Sequence, residues 1–386
     1  MSAIEGRAGE TSVASLGYRM PAEWQRHEAT WLAFPHHRTD FIGKLPSILP
    51  TFAEMARVIV RGELLRFIVR DSAQKQRARK MFDAVGVDLA RVQFVCLATN
   101  RSWLRDSLPL WVVPRGRQKL GSARPSSLAV KFRFNGWARY RDHLLDDAAG
   151  QSVAQRFAPA FVHPEVSSGK RAVLEGGSID VDGAGTLIAT EECLFRSPRA
   201  RFASAPEAES VLKAHLGVTK ILWLGAGIAG DDTSGHVDDF ARFAPKGRIL
   251  LCEEKKKSDA NYEPLAAAKR RLAGAMSATG RALEVVSLPM PQAVYYRGER
   301  LPASYANFYV CNAAVLVPTF NDPADREALS ILADCFTDRP VVGIHARDLV
   351  VGLGTLHCSS MQQPWSTESK TLAEPGVGSV LEGENS

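Results

Sequence analysis

Residues 220–238 read Lys-Ile-Leu-Trp-Leu-Gly-Ala-Gly-Ile-Ala-Gly-Asp-Asp-Thr-Ser-Gly-His-Val-Asp. The apolar start predicts a strand, and the glycine pattern after it matches the fingerprint of dinucleotide-binding folds. That fingerprint works because a helix N-terminus binds the pyrophosphate, yet residues 231–235 have no apolar helical period. Two carboxylates, Asp231 and Asp232, would also face the phosphates. We therefore reject a dinucleotide site and interpret the glycines as a flexible turn.

Outward from this stretch, short β-rich apolar runs alternate with amphipathic helical stretches, which predicts a mixed α/β fold. A hairpin with a glycine-containing turn is predicted around residues 178–188. The predicted strands are residues 30–34, 64–69, 92–97, 129–134, 220–224, 248–252, 310–317 and 341–344. The predicted helices are residues 51–61, 72–84, 207–216, 262–278 and 324–336.

The length of 386 residues permits one large domain or two ordinary ones. Residues 17–364 contain no stretch of linker composition, so we predict a single domain over residues 16–365. Residues 1–15 are expected to be a flexible N-terminus. Residues 366–386 lack aromatic side chains and are rich in Glu, Ser and Gly, which predicts a disordered tail.

The composition, 45% hydrophobic and 23% charged, is typical of a soluble globular protein. No apolar run approaches the roughly 18 residues that span a bilayer, and the N-terminal region is charged where a signal peptide would be apolar. The six cysteines are scattered singly, without the paired spacings of a zinc site or a disulfide scaffold. These features predict a cytosolic, cytoplasmic protein with reduced thiols and no membrane partner.

The net charge is +6 and the pI is near 9.0, which raises the question of an anionic partner. The basic residues are, however, spread along the chain and interleaved with acids. Even the run at residues 255–257 follows two glutamates. A solvated loop is the favoured interpretation of that run, and we expect no nucleic-acid partner.

The first chemical pair is His236 and Asp238, a base and a carboxylate two residues apart. On an extended strand this spacing puts both side chains on one face, where they could act together. Taken alone, the pair is more often a histidine and an aspartate satisfied by ordinary hydrogen bonds, so further residues are needed.

Residues 352–358 read Gly-Leu-Gly-Thr-Leu-His-Cys, which places Cys358 after glycines that let backbone and ligand approach closely. A reactive thiol needs a lowered pKa, supplied by a neighbouring base or by a cationic ligand. We expect an extended segment here, in which His357 and Cys358 point to opposite faces. His236 is therefore the expected partner of Cys358, and His357 is expected to be structural.

Two further segments supply groups suited to a guanidinium cation. Trp103 and Asp106 lie three residues apart in a polar stretch, and Glu175 precedes two glycines. Carboxylates bind a guanidinium through paired hydrogen bonds, and a tryptophan face can cover its plane or its alkyl chain. A core tryptophan and surface acids are the ordinary alternatives for each segment taken singly.

Taken together, these segments resemble, in order and along most of the chain, the agmatine deiminase and bacterial peptidyl-arginine deiminase family of the pentein superfamily. The matching segments are residues 20–24, 27–35, 103–106, 134–137, 174–177, 231–238, 305–309, 354–358 and 362–364. The resemblance implies a pentein fold, a five-bladed pseudosymmetric α/β propeller of ββαβ-type units around a central polar channel. No internal repeat is visible in the sequence itself.

The resemblance also implies roles for the chemical residues. Cys358 would be the nucleophile, His236 the general acid and base, and Glu175 the partner that orients or tunes His236. Asp106 and Asp238 would hold the guanidinium nitrogens.

Trp103 would flank the substrate chain. The implied reaction is hydrolysis of agmatine to N-carbamoylputrescine and ammonia, a step of putrescine and polyamine metabolism, through a covalent thiouronium on the cysteine. The implied partner is thus a small-molecule guanidino substrate, and the chemistry requires no metal and no organic cofactor.

Several alternatives stay open. Within the same chemistry they are deimination of peptidyl arginine or another guanidino metabolite, and amidino transfer to an amine. Outside it they are a non-catalytic guanidine-binding relative and, from the bare Cys and His, a cysteine protease. The chain departs from the family pattern at Arg101, Leu108 and Ser234, which leaves the substrate less certain than the reaction class. The oligomeric state, including a homo-oligomer, is not indicated by the sequence.

Overall fold

The structure, a computed structural model, describes residues 12–116 and 124–366. The predictions for residues 1–11 and for the tail from residue 367 onward lie outside the described residues. Residues 12–15 form part of a turn in which Val13 is buried and the Ser15 hydroxyl donates to the Ser12 carbonyl at 2.7 Å.

Five segments of the described chain repeat one arrangement, which we call units 1 to 5. In each, two antiparallel strands are followed by a helix and by a further strand that pairs parallel with the second. Unit 1 comprises strands Leu110–Pro114 and Leu128–Val130, helix Leu144–Phe157 and strand Phe161–Val162. Unit 2 comprises strands Ile179–Val181 and Thr186–Thr190, helix Ala205–Leu216 and strand Lys220–Leu224.

Units 3 and 4 follow the same order. Unit 3 comprises strands Ala241–Ala244 and Arg248–Glu253, helix Tyr262–Leu272 and strand Glu284–Pro289. Unit 4 comprises strands Tyr309–Val310 and Val315–Thr319, helix Asp325–Cys335 and strand Val341–His345.

Unit 5 joins the two ends of the described chain. Its first strand, Met361–Pro364, pairs antiparallel with His27–Ala33, which is followed by helix Leu45–Ile59 and the parallel strand Leu64–Val69. Strand Val92–Cys96, which follows helix Ser72–Asp83, pairs parallel with Leu64–Val69 and extends this sheet.

The remaining elements are short. Strand Tyr18–Arg19 adds an edge to unit 1, and strands Tyr295–Tyr296 and Glu299–Arg300 form a small hairpin. Single turns of helix occupy Leu89–Arg91, Leu104–Ser107, Gly176–Ser178, Glu192–Arg196, Val237–Asp239, Leu349–Gly352 and Leu356–Ser359.

Local signals explain where the helices begin and end. The Asp71 carboxylate accepts from the Gln74 N–H at 2.7 Å, so that one of the free N–H groups at the start of helix Ser72–Asp83 is satisfied. Helix Ala205–Leu216 begins after Ser204, whose hydroxyl accepts from the Glu207 N–H, and ends at Gly217 with φ of 65°. That left-handed conformation is favourable for glycine and stops the helix.

In units 2, 3 and 4, burial falls from the first strand to the last. The first strands of units 2, 3, 4 and 5 are buried along their whole length, whereas strand Glu284–Pro289 of unit 3 and strand Val341–His345 of unit 4 are mostly half-buried or exposed. The first strands therefore lie inside the protein. Hydrophobic burial, at about 25 cal/mol per Å² of apolar surface, is the main force that holds them there.

The predicted mixed α/β class is confirmed. Strands Leu64–Val69 and Lys220–Leu224 have the predicted bounds, and the predicted hairpin is formed by the first two strands of unit 2. The single strand predicted at residues 310–317 is wrong, because residues 311–314 form a turn closed by the Cys311 N–H and the Ala314 carbonyl at 2.9 Å. The helix predicted at residues 262–278 ends at Leu272, close to Gly274 with φ of 73°.

Within residues 12–116 and 124–366, no helix is both long and apolar enough to cross a bilayer.

Candidate active site

The polar residues singled out in the sequence, together with Asn307, occupy equivalent places before the five units. Each of the turns that carry them directly precedes the first strand of a unit. They are Asp106 before unit 1, Glu175 before unit 2, His236 and Asp238 before unit 3, Asn307 before unit 4, and Cys358 before unit 5. Because the first strands are the buried ones, these five turns bring their side chains together inside the protein.

Two of these turns differ from the extended conformation expected from the sequence. His236 has φ of −59° and precedes a turn of 3₁₀ helix, Val237–Asp239, and Cys358 lies in the helical turn Leu356–Ser359. The reason for the first is Asp231, whose carboxylate accepts from the N–H groups of Thr233, Gly235 and His236 at 2.7 to 3.0 Å. An aspartate that satisfies several N–H groups competes with strand pairing and favours a turn.

The two predicted guanidinium ligands have different environments. Asp106 accepts from the Trp137 indole at 2.8 Å and from the Gly177 N–H at 2.9 Å. Burial, reinforced by the neighbouring charges of Asp238 and Glu175, raises the pKa of Asp106 to about 6. Asp106 is therefore mostly ionised at neutral pH, but its pKa lies only a little below neutral pH.

Asp238 is held through one oxygen only. Its Oδ2 lies 2.6 Å from His357 Nδ1, and among the described residues its buried Oδ1 has no hydrogen-bond partner. Burial on its own would raise the pKa of Asp238, but the hydrogen bond from His357 and the charges of His357, His236 and Arg242 lower it. The unpartnered Oδ1 is thus an ionised acceptor in a buried place, which is costly unless a ligand pairs with it.

Gly177 allows these groups to approach one another. A Cβ at this position would lie 2.6 Å from His236 Nδ1 and 2.9 Å from Asp238 Oδ2. Both contacts are shorter than a Cβ can tolerate, so only glycine leaves room for the histidine and the carboxylate here.

His236 lies among the carboxylates. Its Nδ1 is 3.9 Å from one oxygen of Asp106 and 3.9 Å from one oxygen of Asp238, and its buried Nε2 has no hydrogen-bond partner among the described residues. Burial alone would lower the pKa of His236, but the charges of Asp106 and Asp238 and the contact with Cys193 raise it well above its usual value. His236 is therefore protonated more readily than an ordinary histidine and has a proton to donate.

Glu175, the predicted partner of His236, is bound first to another residue. Both of its oxygens accept from Nε of Arg201, at 2.7 and 2.9 Å, and the two side chains are fully buried. A ligand-type atom of Glu175, one of His236 and the Cys193 sulfur all lie within 4.8 Å of one another. Glu175 is thus near His236, with its charge balanced by Arg201.

Cys358 is 8% exposed and reaches the floor of a pocket. Its Sγ accepts from the Asn307 side-chain amide at 3.0 Å and lies 3.7 Å from Asp238 Oδ2. Burial and the charges of Asp238, Asp239 and Asp106 raise the pKa of the thiol well above its usual value. A cation placed between these carboxylates would cancel that effect and favour the thiolate.

The pocket above Cys358 encloses about 360 Å³ of empty space, part of which is open to solvent. Its walls combine aromatic side chains with acids, and Trp103 is one of them. The other wall residues include Trp137, Tyr140, Asp40, Asp232, Arg101 and Leu353. Trp103 packs against Phe41, with ring centroids 5.5 Å apart.

Arg101 and Asp232 define the charge of the pocket mouth. Arg101 forms ion pairs with Asp40 at 3.2 Å and Asp142 at 3.0 Å and stacks over the Tyr140 ring at 4.5 Å. Asp232 accepts from the Tyr140 hydroxyl at 2.6 Å. Arg101, which departs from the family pattern, is therefore already neutralised by two acids.

Among the described residues, two groups of neighbouring side chains have the residue types of metal ligands. They are Glu175 with Cys193 and His236, and Asp238 with Asp239 and Cys358. Glu175 is already paired with Arg201, and the second group surrounds the thiol itself. Both groups therefore belong to the pocket floor described above.

All six predicted site residues thus lie at or around one pocket. Sequence reasoning assigned no role to Asn307, Trp137, Arg201 or Glu23. Glu23, Trp137 and Asn307 lie in the matching segments 20–24, 134–137 and 305–309, and membership of these segments was the one sign in the sequence that they contribute to the site. Arg201 lies outside every such segment, so no signal pointed to it.

Comparison with known proteins agrees with this geometry. The model of the Porphyromonas-type peptidyl-arginine deiminase family matches residues 19–364. Agmatine deiminase from Medicago truncatula is 34% identical over 375 residues, covering 90% of this chain and 96% of the relative. A putative agmatine deiminase from Legionella pneumophila is 33% identical, covering 92% and 97%.

Solved structures give the same result. An agmatine deiminase of Enterococcus faecalis, described as catalysing its reaction, has a TM-score of 0.80 at 28% identity and covers 93% of this chain and 99% of that one. A cysteine-to-serine variant of C. jejuni agmatine deiminase with substrate bound has a TM-score of 0.77 at 27% identity, covering 90% and 97%.

The fold and the pocket therefore define an enzyme of the hydrolase class that acts on carbon–nitrogen bonds of linear amidines. More narrowly, the chain belongs to the Porphyromonas-type peptidyl-arginine deiminase family, and its agmatine deiminase relatives align with it along nearly their whole length.

Proposed function

We propose that this protein hydrolyses agmatine to N-carbamoylputrescine and ammonia, with Cys358 as the covalent nucleophile. The observation that carries the proposal is a cluster at the pocket floor. Cys358 and Asp106 line the pocket, and behind them Asp238 Oδ2 lies 3.7 Å from the thiol sulfur. His236 Nδ1 lies 3.9 Å from each of the two carboxylates. A guanidinium is the ligand that such a floor accommodates. It is planar, cationic and rich in N–H donors, and a buried carboxylate oxygen lacks a donor here.

Guanidinium binding by Asp106 and Asp238 positions the substrate. The two carboxylates flank His236 at 3.9 Å each, and Asp238 Oδ2 is 3.7 Å from the Cys358 sulfur. A guanidinium between them would present its carbon to Sγ. The guanidinium carbon is a poor electrophile, and holding it next to the nucleophile can lower the activation barrier by about 7–11 kcal/mol.

The substrate also activates the nucleophile. In the free enzyme burial, together with three carboxylates, holds the pKa of Cys358 well above its usual value, so the thiol is protonated. The guanidinium cation compensates those carboxylates, and the Asn307 amide, which donates to Sγ at 3.0 Å, stabilises the thiolate that results. The nucleophile is thus generated only when its substrate is present.

The chemistry then follows in two stages. The Cys358 thiolate attacks the guanidinium carbon, a tetrahedral adduct forms, and His236 protonates the nitrogen that leaves as ammonia. The product on the enzyme is a thiouronium. His236 next takes a proton from water, the hydroxide attacks the same carbon, and cleavage of the C–S bond returns the thiolate and releases the ureido product. Glu175, which lies near His236 and is itself paired with Arg201, has the role of orienting that imidazole during both transfers.

Agmatine is favoured among guanidines by the walls of the pocket. Trp103, Trp137 and Tyr140 form an apolar lining suited to a short alkyl chain. Beyond them, Asp232 supplies a carboxylate for a distal ammonium, whereas Arg101 is paired with Asp40 and Asp142. We expect Trp103 to flank the alkyl chain.

We also propose that the five units are blades of a propeller around this pocket. Two observations support it: the burial of the first strands, and the supply of one site residue or pair from the turn before each unit. Residues arranged in this way around an axis would meet at its centre.

The test is a colorimetric assay for ureido products with purified protein and a panel of agmatine, arginine, an arginyl peptide and butylguanidine, which lacks the distal amine. We expect agmatine to be the best substrate. Release of ammonia without an amine acceptor separates hydrolysis from amidino transfer. No ureido product from any member of the panel would contradict the proposal.

A matched variant tests the substrate. Asp232→Asn should lower kcat/KM for agmatine by roughly tenfold, the value of one partly exposed charge pair and hydrogen bond. It should leave butylguanidine turnover nearly unchanged. An equal loss for both substrates would show that Asp232 does not contact the distal amine. If the wild type instead prefers the arginyl peptide, the proposed substrate is peptidyl arginine and not agmatine.

A further inference from the structure

His357, which the sequence suggested to be structural, sits between two carboxylates beneath the pocket. Its Nδ1 lies 2.6 Å from Asp238 Oδ2 and its Nε2 lies 2.8 Å from Glu23 Oε2. All three side chains are buried. An ionised carboxylate only accepts hydrogen bonds, so a nitrogen of His357 that bonds to either acid does so as the donor, and the ring connects the two acids in a line.

Glu23 anchors the far end of this line. Besides His357 it binds Arg105 at 3.1 Å, Arg242 at 3.0 Å and the Val310 N–H at 2.8 Å. Burial alone would raise the pKa of Glu23, but Arg242, His357 and Arg105 together lower it well below its usual value. Glu23 is therefore a fixed anion with no capacity left for substrate.

The near end of the line is different. Asp238 uses Oδ2 for His357 and keeps Oδ1 without a partner among the described residues. Oδ1 lies on the side of His236, whose Nδ1 is 3.9 Å away. The bond at Oδ2 thus sets the rotation of the carboxylate and leaves Oδ1 on the side of His236.

We propose that His357 is a positioning residue for substrate binding: it fixes the Asp238 carboxylate from below so that Oδ1 receives the guanidinium. The assignment rests on the proposed function, since it presupposes a guanidino cation at Asp238. His357 lies in the helical turn that also carries Cys358. This one turn thereby carries the nucleophile, Cys358, and also His357, which orients the substrate-binding carboxylate of Asp238.

Two substitutions distinguish the hydrogen bond of His357 to Asp238 from its hydrogen bond to Glu23. In His357→Asn the amide nitrogen takes the place of Nδ1 and can still donate to Asp238, whereas in His357→Gln it takes the place of Nε2 and can donate only to Glu23. The asparagine variant is therefore the conservative rescue. Thermal unfolding and circular dichroism establish that both variants are folded before they are compared.

The readout is the ratio of Cys358 alkylation rates with 2-chloroacetamidine, a cation that resembles the guanidinium head, and iodoacetamide, which is neutral. We expect the ratio in His357→Asn to stay close to the wild type. In His357→Gln it should fall roughly 10- to 100-fold, the value of a hydrogen bond to a charged group, while the iodoacetamide rate changes little. KM for the best guanidine should rise by a similar factor in the same variant.

The possible results are distinguishable. An unchanged ratio in His357→Gln, or equal slowing with both reagents, would overturn the positioning role while leaving the proposed function intact. A wild type with neither turnover nor preference for the cation would contradict the proposed function and this assignment with it.

If neither variant folds, the wild type still decides the question. In protein labelled with ¹⁵N-histidine, His357 Nδ1 should carry a hydrogen-bonded proton. An unprotonated Nδ1 would overturn the proposal.

Discussion

Two buried polar clusters in this protein are built from similar side chains but differ in how completely their hydrogen bonds are satisfied. In the first, which we call the Glu63 cluster, Glu63 accepts from His27 at 3.1 Å, from the Thr30 hydroxyl and from the Asn312 N–H at 2.6 Å. The Tyr309 hydroxyl lies 2.6 Å from the Thr30 hydroxyl. Every polar group of this cluster has a partner.

The second is the pocket floor around Cys358. There, His236 Nε2 and Asp238 Oδ1 are buried without a hydrogen-bond partner among the described residues. An unsatisfied buried polar atom costs about 1–3 kcal/mol, and more when it is charged. The comparison teaches that residue type does not distinguish a structural cluster from a binding site here. The distinction lies in whether every buried polar atom of the cluster has a hydrogen-bond partner.

The largest effect should come from the nucleophile. Cys358→Ser should reduce kcat on the order of 10⁴-fold or more, because an alcohol ionises far less than a thiol and nucleophile loss has effects of this scale. Its free energy of unfolding should stay close to that of the wild type. The ureido-product assay and urea unfolding measure the two quantities, and substantial turnover by a folded variant would remove Cys358 from the mechanism.

The next effect concerns the incomplete cluster itself. Asp106→Asn should lower kcat/KM by about 10²- to 10³-fold, because removing one partner of a buried charge pair costs about 3–5 kcal/mol. The loss should be the same for every guanidine, since this carboxylate contacts only the head. Stability should change by no more than about 1 kcal/mol, because the lost bond from Trp137 is offset by the removal of a buried charge. A kcat/KM near the wild-type value would contradict the assignment.

The satisfied cluster should respond in the opposite way. In Glu63→Gln, an amide N–H replaces one carboxylate oxygen, so either the Asn312 N–H or the His27 and Thr30 donors lose their acceptor. We expect the free energy of unfolding to fall by about 1–3 kcal/mol in urea titrations. The kcat/KM of the folded fraction should be unchanged. A variant with normal stability and impaired catalysis would break the comparison.

The smallest effect is a pH dependence. The pKa of Asp106 in the free enzyme is about 6, so below that pH it is increasingly neutral and binds a guanidinium weakly. We expect kcat/KM to fall about tenfold per pH unit below this value. Asp106→Asn, which cannot titrate there, should lack this limb in its residual activity.

The stability contribution of Asp106 runs in the reverse direction. Because its pKa is raised on folding, the folded state binds this proton more tightly than the unfolded state. Its contribution to stability therefore declines as pH rises through about 6, the range in which activity increases.

The parts that could be predicted from the sequence are those with a local signal. Leu64–Val69 and Lys220–Leu224 are short apolar runs between turn residues, which is sufficient to define a strand. Residues 310–317 are mostly apolar and were therefore predicted as one strand. They contain a turn because the residues before it pair with the residues after it. The fivefold repeat was invisible because the units share an arrangement rather than a sequence.

The same limit applies to the site. Cys358, His236 and the carboxylates were singled out because each carries a nucleophile, a base or a charge, and their expected roles came from the resemblance of the segments around them. The bond between His357 and Asp238 joins residues 119 positions apart, so no local pattern could show it. Asn307 carries no charge and no nucleophile, and its importance follows only from its 3.0 Å contact with Sγ.

The most direct test of the central claim is the mass of the peptide that contains Cys358, taken from wild-type protein quenched in acid during turnover of agmatine. A covalent thiouronium predicts that this peptide gains the mass of agmatine less that of ammonia, and that the gain is absent without substrate and in Cys358→Ser. If the enzyme releases ureido product at full rate while the Cys358 peptide stays unmodified at every quench time and the adduct is found on another residue, the account of Cys358 as the nucleophile is contradicted.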